Sequence, residues 1–139
     1  MVGALLSAVP GASAAFEGGV IVYTGEAKTR LLGVPESMLD AHGAVSAPVA
    51  KAMACGVREY LRTDVGISVT GLIGSPAEGK PAGLTYVAAA GPGDETRLVE
   101  LADDSGPARN REEAVRTAIR LGTEVASAVP AKTEPGGAR

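Results

Sequence analysis

Two kinds of hydrophobic spacing alternate along this chain, and that alternation restricts it to folds that pack helices on a sheet. Behind Ser46, the residues Val49, Met53, Val57 and Leu61 recur every four positions, which puts apolar side chains on one face of a helix. Ser46 is a suitable N-cap, and the spacing predicts a helix over about 46–62. A second amphipathic stretch sets Val115, Ile119, Gly122 and Val125 on one face, with Asn110 read as its cap and Glu112 and Glu113 in its first turn. Between and before these lie runs of strand composition: Val20-Ile21-Val22-Tyr23 after Gly18-Gly19, then 65–70, 84–90 and 96–101. The last two can pair across Gly91-Pro92-Gly93-Asp94, and a loop over 71–83 separates the middle two. Shorter helices are expected over about 26–32 and 36–41, the latter entered through Pro35. Val2, Leu5, Leu6 and Val9 read as the last turns of a helix that began before Met1 and stops at Pro10-Gly11. The expected fold is α/β, a three-layer α/β/α domain with a mixed sheet over 1–129, followed by a disordered polar tail over 130–139.

Composition removes several function classes. A chain of 139 residues can bury a core without metal or disulfide support. The formal charge of -3, with 13 Lys and Arg scattered along the chain, leaves no basic field for nucleic acid. Trp is absent and Phe occurs once, so platforms for stacking bases are missing as well. Cys55 is the single cysteine, and no Cys/His cluster has metal-ligand spacing, so neither a disulfide nor a metal is expected. The opening MVGALLSAVP is short and lacks a basic n-region, which argues against a signal peptide. No apolar run is long enough to cross a bilayer, so a soluble, cytoplasmic domain without a membrane partner is expected.

Standard catalytic motifs fail. There is no GxGxxG, Ser-x-x-Lys or Gly-x-Ser-x-Gly, and Gly25-Glu26-Ala27-Lys28-Thr29 lacks the glycines of a phosphate loop. Other positions carry chemistry. Tyr23 ends a strand-like run and Lys28 lies about one helical turn into the next element, a spacing that lets phenol and amine approach beside the sheet. A lysine held in a dry pocket can lose its proton and act as a general base; the alternative is a solvated lysine beside a half-buried tyrosine. Thr70-Gly71 closes a strand and opens a glycine-containing loop, either an anion-binding turn or an ordinary exit. Ser13 is a polar contact at a helix end or a capping hydroxyl. Arg111, at the start of the last helix, suits a phosphate or pairs with Glu112 or Glu113. His42 before Gly43 reads as a helix-end residue, and Cys55 as core packing.

In order, the segments VPGASAAFEGGVIVYTGEAKTRLLGVP (9–35), AHGAVS (41–46), VTG (69–71), KPAG (80–83) and NREE (110–113) resemble the C-terminal domain of the CinA family. The resemblance runs over about 3–129, and the stretch from 9 to 35 followed by AHGAVS is highly specific. It implies a serine amidohydrolase converting nicotinamide mononucleotide to nicotinate mononucleotide and ammonia through a Ser/Lys dyad. No metal or cofactor is implied; the partners would be a small nucleotide substrate and further copies of the chain in a homo-oligomer. By motif, Lys28 would be the dyad base and Tyr23 its polar neighbour. Ser13, Thr70 and Gly71 would line the carboxamide end, and Arg111 would meet the substrate phosphate. The family's nucleophile sits in a Glu-Ser-Cys-Thr-Gly-Gly type motif, expected ahead of Met1 and absent from these residues. TGLIGSPAEGKP is shorter and less glycine-dense than the family's loop, and Gly25 stands where Asn is frequent. A non-catalytic binding or interaction domain is the other reading.

Overall fold

Three β-strands and five α-helices make up the computed structural model, which describes residues 1–131; the expected tail over 130–139 lies, from 132 onward, outside the described residues. The helices are α1 (Val2–Ser7), α2 (Gly25–Leu32), α3 (Glu36–His42), α4 (Ala47–Leu61) and α5 (Pro107–Ser127). The strands are β1 (Gly66–Gly71), β2 (Thr85–Ala90) and β3 (Thr96–Leu101). They lie in the order β1-β2-β3, antiparallel at both junctions, with Gly66 opposite Ala90 and Ala90 opposite Thr96.

The period-two alternation of β2 explains the layers. Ala88 and Ala90 point to one face, where they meet Ala50 and Ala54 of α4; Val87 and Ala89 point to the other, against Ala118, Leu121 and Val125 of α5. Each face of the sheet is thus covered by one helix, giving the expected α/β/α sandwich. The far side of α4 carries a further cluster, in which Val49, Met53 and Val57 pack on Leu32 and Val34 with Val20, Val22, Met38 and Leu39 around them. Small residues bring the layers close. A Cβ on Gly66 would strike the Ala54 carbonyl and Arg58, and one on Gly56 would strike the Leu32 carbonyl.

Four expectations are corrected. Residues 20–23 form no strand: Val20 and Val22 face the core while Ile21 and Tyr23 stand in water. Their β-branched composition suits a half-buried run of alternating faces, whereas a strand also needs a partner edge. With that run outside the sheet, the described strands form an antiparallel sheet and not a mixed one. Asn110 does not cap α5, because Pro107 at the first helical position starts the helix three residues earlier. Ser46 does occupy the N-cap of α4, yet its hydroxyl donates to the Gly43 carbonyl at 3.0 Å instead of accepting from the helix. No helix among the described residues is long and apolar enough to cross a membrane.

Candidate active site

Lys28 is the buried cation among the described residues. Thr24 caps α2 by accepting the Ala27 N–H at 3.1 Å, and Gly33 closes the helix in the left-handed conformation at φ 67°. A cap of this kind contributes about 1 kcal/mol, whereas the exposed Glu26–Arg30 pair contributes about 0.3–0.5 kcal/mol. Capping, together with Leu32 in the core, therefore decides where α2 lies. In that setting Lys28 is only 5% exposed, and its ammonium donates to the Val22 carbonyl at 3.0 Å. Burial pushes the amine below its ordinary value, and the negative charge of Glu78 opposes that shift.

Tyr23 makes no hydrogen bond to Lys28 among the described residues. Its side chain is 93% exposed, and Lys28 turns to the backbone of residue 22 instead of the neighbouring phenol. Ser13 is exposed in a short 3-10 turn over Ala12–Ala14, and no hydrogen bond joins it to Lys28 among the described residues. Arg111 lies in the second turn of α5 on its exposed side and forms no ion pair among the described residues. Among the described residues, no hydrogen bond or ion pair joins Tyr23, Ser13 or Arg111 to Lys28.

Thr70 and Gly71 end β1. Thr70 is buried, and its hydroxyl donates to the Ala44 carbonyl at 2.8 Å, tying the strand end to the α3–α4 loop over 43–46. Gly71 sits against the Thr85 side chain, where a Cβ would collide. In the following loop some N–H groups are already engaged. Leu72 donates to Leu84, Gly83 to Leu72, and Ala77 and Lys80 exchange backbone bonds.

Sequence reasoning missed Glu78 and Lys80. The Glu78 carboxylate accepts the N–H groups of Ala44 and Val45 at 3.1 and 3.3 Å. The Lys80 ammonium donates to the carbonyls of His42 and Val45 at 2.7 and 2.6 Å and lies 3.6 Å from Glu78. Partial burial pushes the Glu78 carboxyl up, but the two amides and Lys80 together outweigh it and hold the carboxyl below its ordinary value. A charged pair in a Gly/Pro-rich loop was the available signal; its partners are 33–38 residues away, beyond any local pattern. His42 contributes its carbonyl at the end of α3, in keeping with a structural role, and Cys55 is half-buried on α4 beside the alanine cluster.

Two surface clefts lie elsewhere. An apolar one of about 310 Å³ opens between α1 and α5 at Met1, Leu5, Val115 and Ile119, and one of about 130 Å³ lies behind the β2–β3 turn at Gly91 and Val125.

Known proteins resemble this chain along most of its length. The family described as the CinA C-terminal domain matches residues 1–125. A CinA-like protein of Gloeobacter violaceus is 51% identical over 104 residues, covering 73% of this chain and 24% of that protein. A CinA-like protein of Frankia casuarinae is 45% identical over 127 residues, covering 90% of this chain and 29% of that protein. The chain therefore spans about a quarter of the length of the curated relatives it matches. Among solved structures it is similar to the competence damage-inducible protein A (ComA) from Klebsiella pneumoniae, with TM-score 0.85 and 27% identity over 93% of this chain and 81% of that one. It is also similar to the competence/damage inducible protein CihA from Agrobacterium tumefaciens, with TM-score 0.81 and 30% identity over 90% and 80% of the two chains.

Proposed function

The chain belongs to the CinA C-terminal domain family, and from that premise we propose that it is the base-bearing part of an amidohydrolase acting on the carboxamide of nicotinamide mononucleotide. The observation that carries this reading is the buried amine of Lys28, held at 3.0 Å from a backbone carbonyl and shifted toward its neutral form by burial. A neutral lysine can take the proton of a serine hydroxyl as that oxygen attacks the carboxamide carbon. The tetrahedral oxyanion then collapses, ammonia leaves with a proton returned by the lysine, and water releases nicotinate mononucleotide from the acyl-serine by the same proton transfers in reverse. The serine would come from a Glu-Ser-Cys-Thr-Gly-Gly type motif, which the 139 residues do not contain. Thr70 and Gly71 end β1 beside the loop that would border the carboxamide, and Arg111 remains the candidate for the phosphate.

The second reading is a binding or interaction domain that keeps the fold without the reaction. The exposure of Tyr23 and the absence of a hydrogen bond from Ser13 to Lys28 among the described residues favour it. Ammonia release from nicotinamide mononucleotide separates the two. The first reading expects turnover by a form with the serine segment joined ahead of Met1, and little or none by the 139-residue form. Full turnover by the 139-residue form would move the nucleophile to Ser13, and none by the joined form would favour the second reading.

A further inference from the structure

The six residues of α1 are too few to hold a helix on their own, and none of them is buried. Val2 packs on the cluster of Ala118, Leu121 and Val125, but Met1 and Leu5, one turn apart, are 65% and 51% exposed. On α5, Val115 and Ile119 also stand one turn apart, and these two apolar pairs line the cleft of about 310 Å³ between the helices. Its polar lining is Glu112 and Arg116, which already pair with each other at 2.8 Å. A small-molecule site sets a few convergent polar groups in an apolar pocket; here the polar groups are spent on one another. Apolar pairs at i and i+4 on two neighbouring helices instead make a groove that fits the apolar face of a third helix.

We propose that this cleft is the docking site of an amphipathic helix from the chain that leads into the domain. The matching family is described as a C-terminal domain, and this chain spans 24% and 29% of two curated relatives, so most of their length precedes the matching region. In a protein of that layout the leading chain arrives at Met1, and Met1 is itself part of the cleft wall. A segment tethered there meets the cleft at a high effective concentration, so a contact too small to hold a partner arriving from solution is enough. The docked helix covers Leu5 and braces α1 against α5. This inference stands apart from the amidohydrolase reading, since it concerns how the leading chain is held and not what Lys28 does.

The test is labelling with N-ethylmaleimide, read peptide by peptide, of Leu5→Cys and Ile119→Cys in two forms. One is the 139-residue chain; the other is the same chain preceded by the leading sequence of the Frankia casuarinae relative. Both positions label in the 139-residue chain at a rate independent of protein concentration, and about tenfold or more slowly in the longer form. Cys55, beside Ala88 and Ala90 on the other face of the sheet, labels equally in both and is the reference. Leu5→Cys, at an exposed position, carries the comparison alone if Ile119→Cys does not fold. If the fusion does not fold, the relative itself, with cysteine at the two matching positions, takes its place. Equal labelling of Leu5→Cys with and without the leading chain overturns the proposal. Protection that grows with the concentration of the 139-residue chain also overturns it and makes a second copy the occupant. Labelling needs no turnover, so either result leaves the amidohydrolase reading to its own experiment.

Discussion

At the scale of single residues, the informative side chains are those whose partners lie far away in sequence. Lys28 was legible as a candidate from its place after Tyr23, but the expected phenol–amine contact was not found; the amine instead turns back to the Val22 carbonyl. Its depressed proton affinity has a consequence for stability. Between the lowered folded value and the ordinary 10.5, the unfolded chain binds more protons at this position than the folded one. Stability must therefore rise with pH across that window, the penalty being fully present below it. Urea denaturation of the parent and Lys28→Met over an alkaline pH series should show the difference shifting in the parent's favour as pH rises; parallel curves would mean the amine is solvated. Asn110 supplies a second case. Read as a cap, it is a buried hub that accepts from the Ser105 N–H and donates to the Ile73 carbonyl and to Asp104. Asn110→Ala strands these groups and should destabilise the fold by about 1–3 kcal/mol, measured by chemical denaturation. A cost near zero would mean water replaces the amide.

Among the elements, the helices with strong periodicity were read within a few residues, because α4 and α5 bury one face each and the pattern records it. The hairpin of β2 and β3 was equally legible from its Gly-Pro-Gly-Asp turn. The run over 20–23 was not, since nothing in Val20-Ile21-Val22-Tyr23 says whether a partner edge is in reach. Close approach of α2 to α4 is also invisible in sequence and depends on Gly56, whose missing Cβ admits the Leu32 carbonyl. Gly56→Ala pushes on backbone and should cost about 1–3 kcal/mol. Gly122→Ala meets only the side chain of Ile67, which can rotate away, and should cost less. Thermal melts of the two variants give the order; the reverse order would show that α2 gives way easily.

For the whole molecule, the buried amine of Lys28 is where the fold and the proposed reaction meet. The layered architecture follows from the alternation of β2 and the apolar faces of α4 and α5, and the family match extends over the same residues. The proposed reaction would ask more of Lys28 than charge. Arginine in its place keeps a cation and cannot give up its proton at ordinary pH, so Lys28→Arg separates proton transfer from electrostatic binding. The decisive measurement is ammonia release from nicotinamide mononucleotide by the form carrying the serine segment, compared with its Lys28→Arg variant at equal folding. The account predicts active parent protein and a variant slower by about 10²–10⁴-fold. Near-normal turnover by the arginine variant would contradict it and leave Lys28 as a residue that only holds substrate.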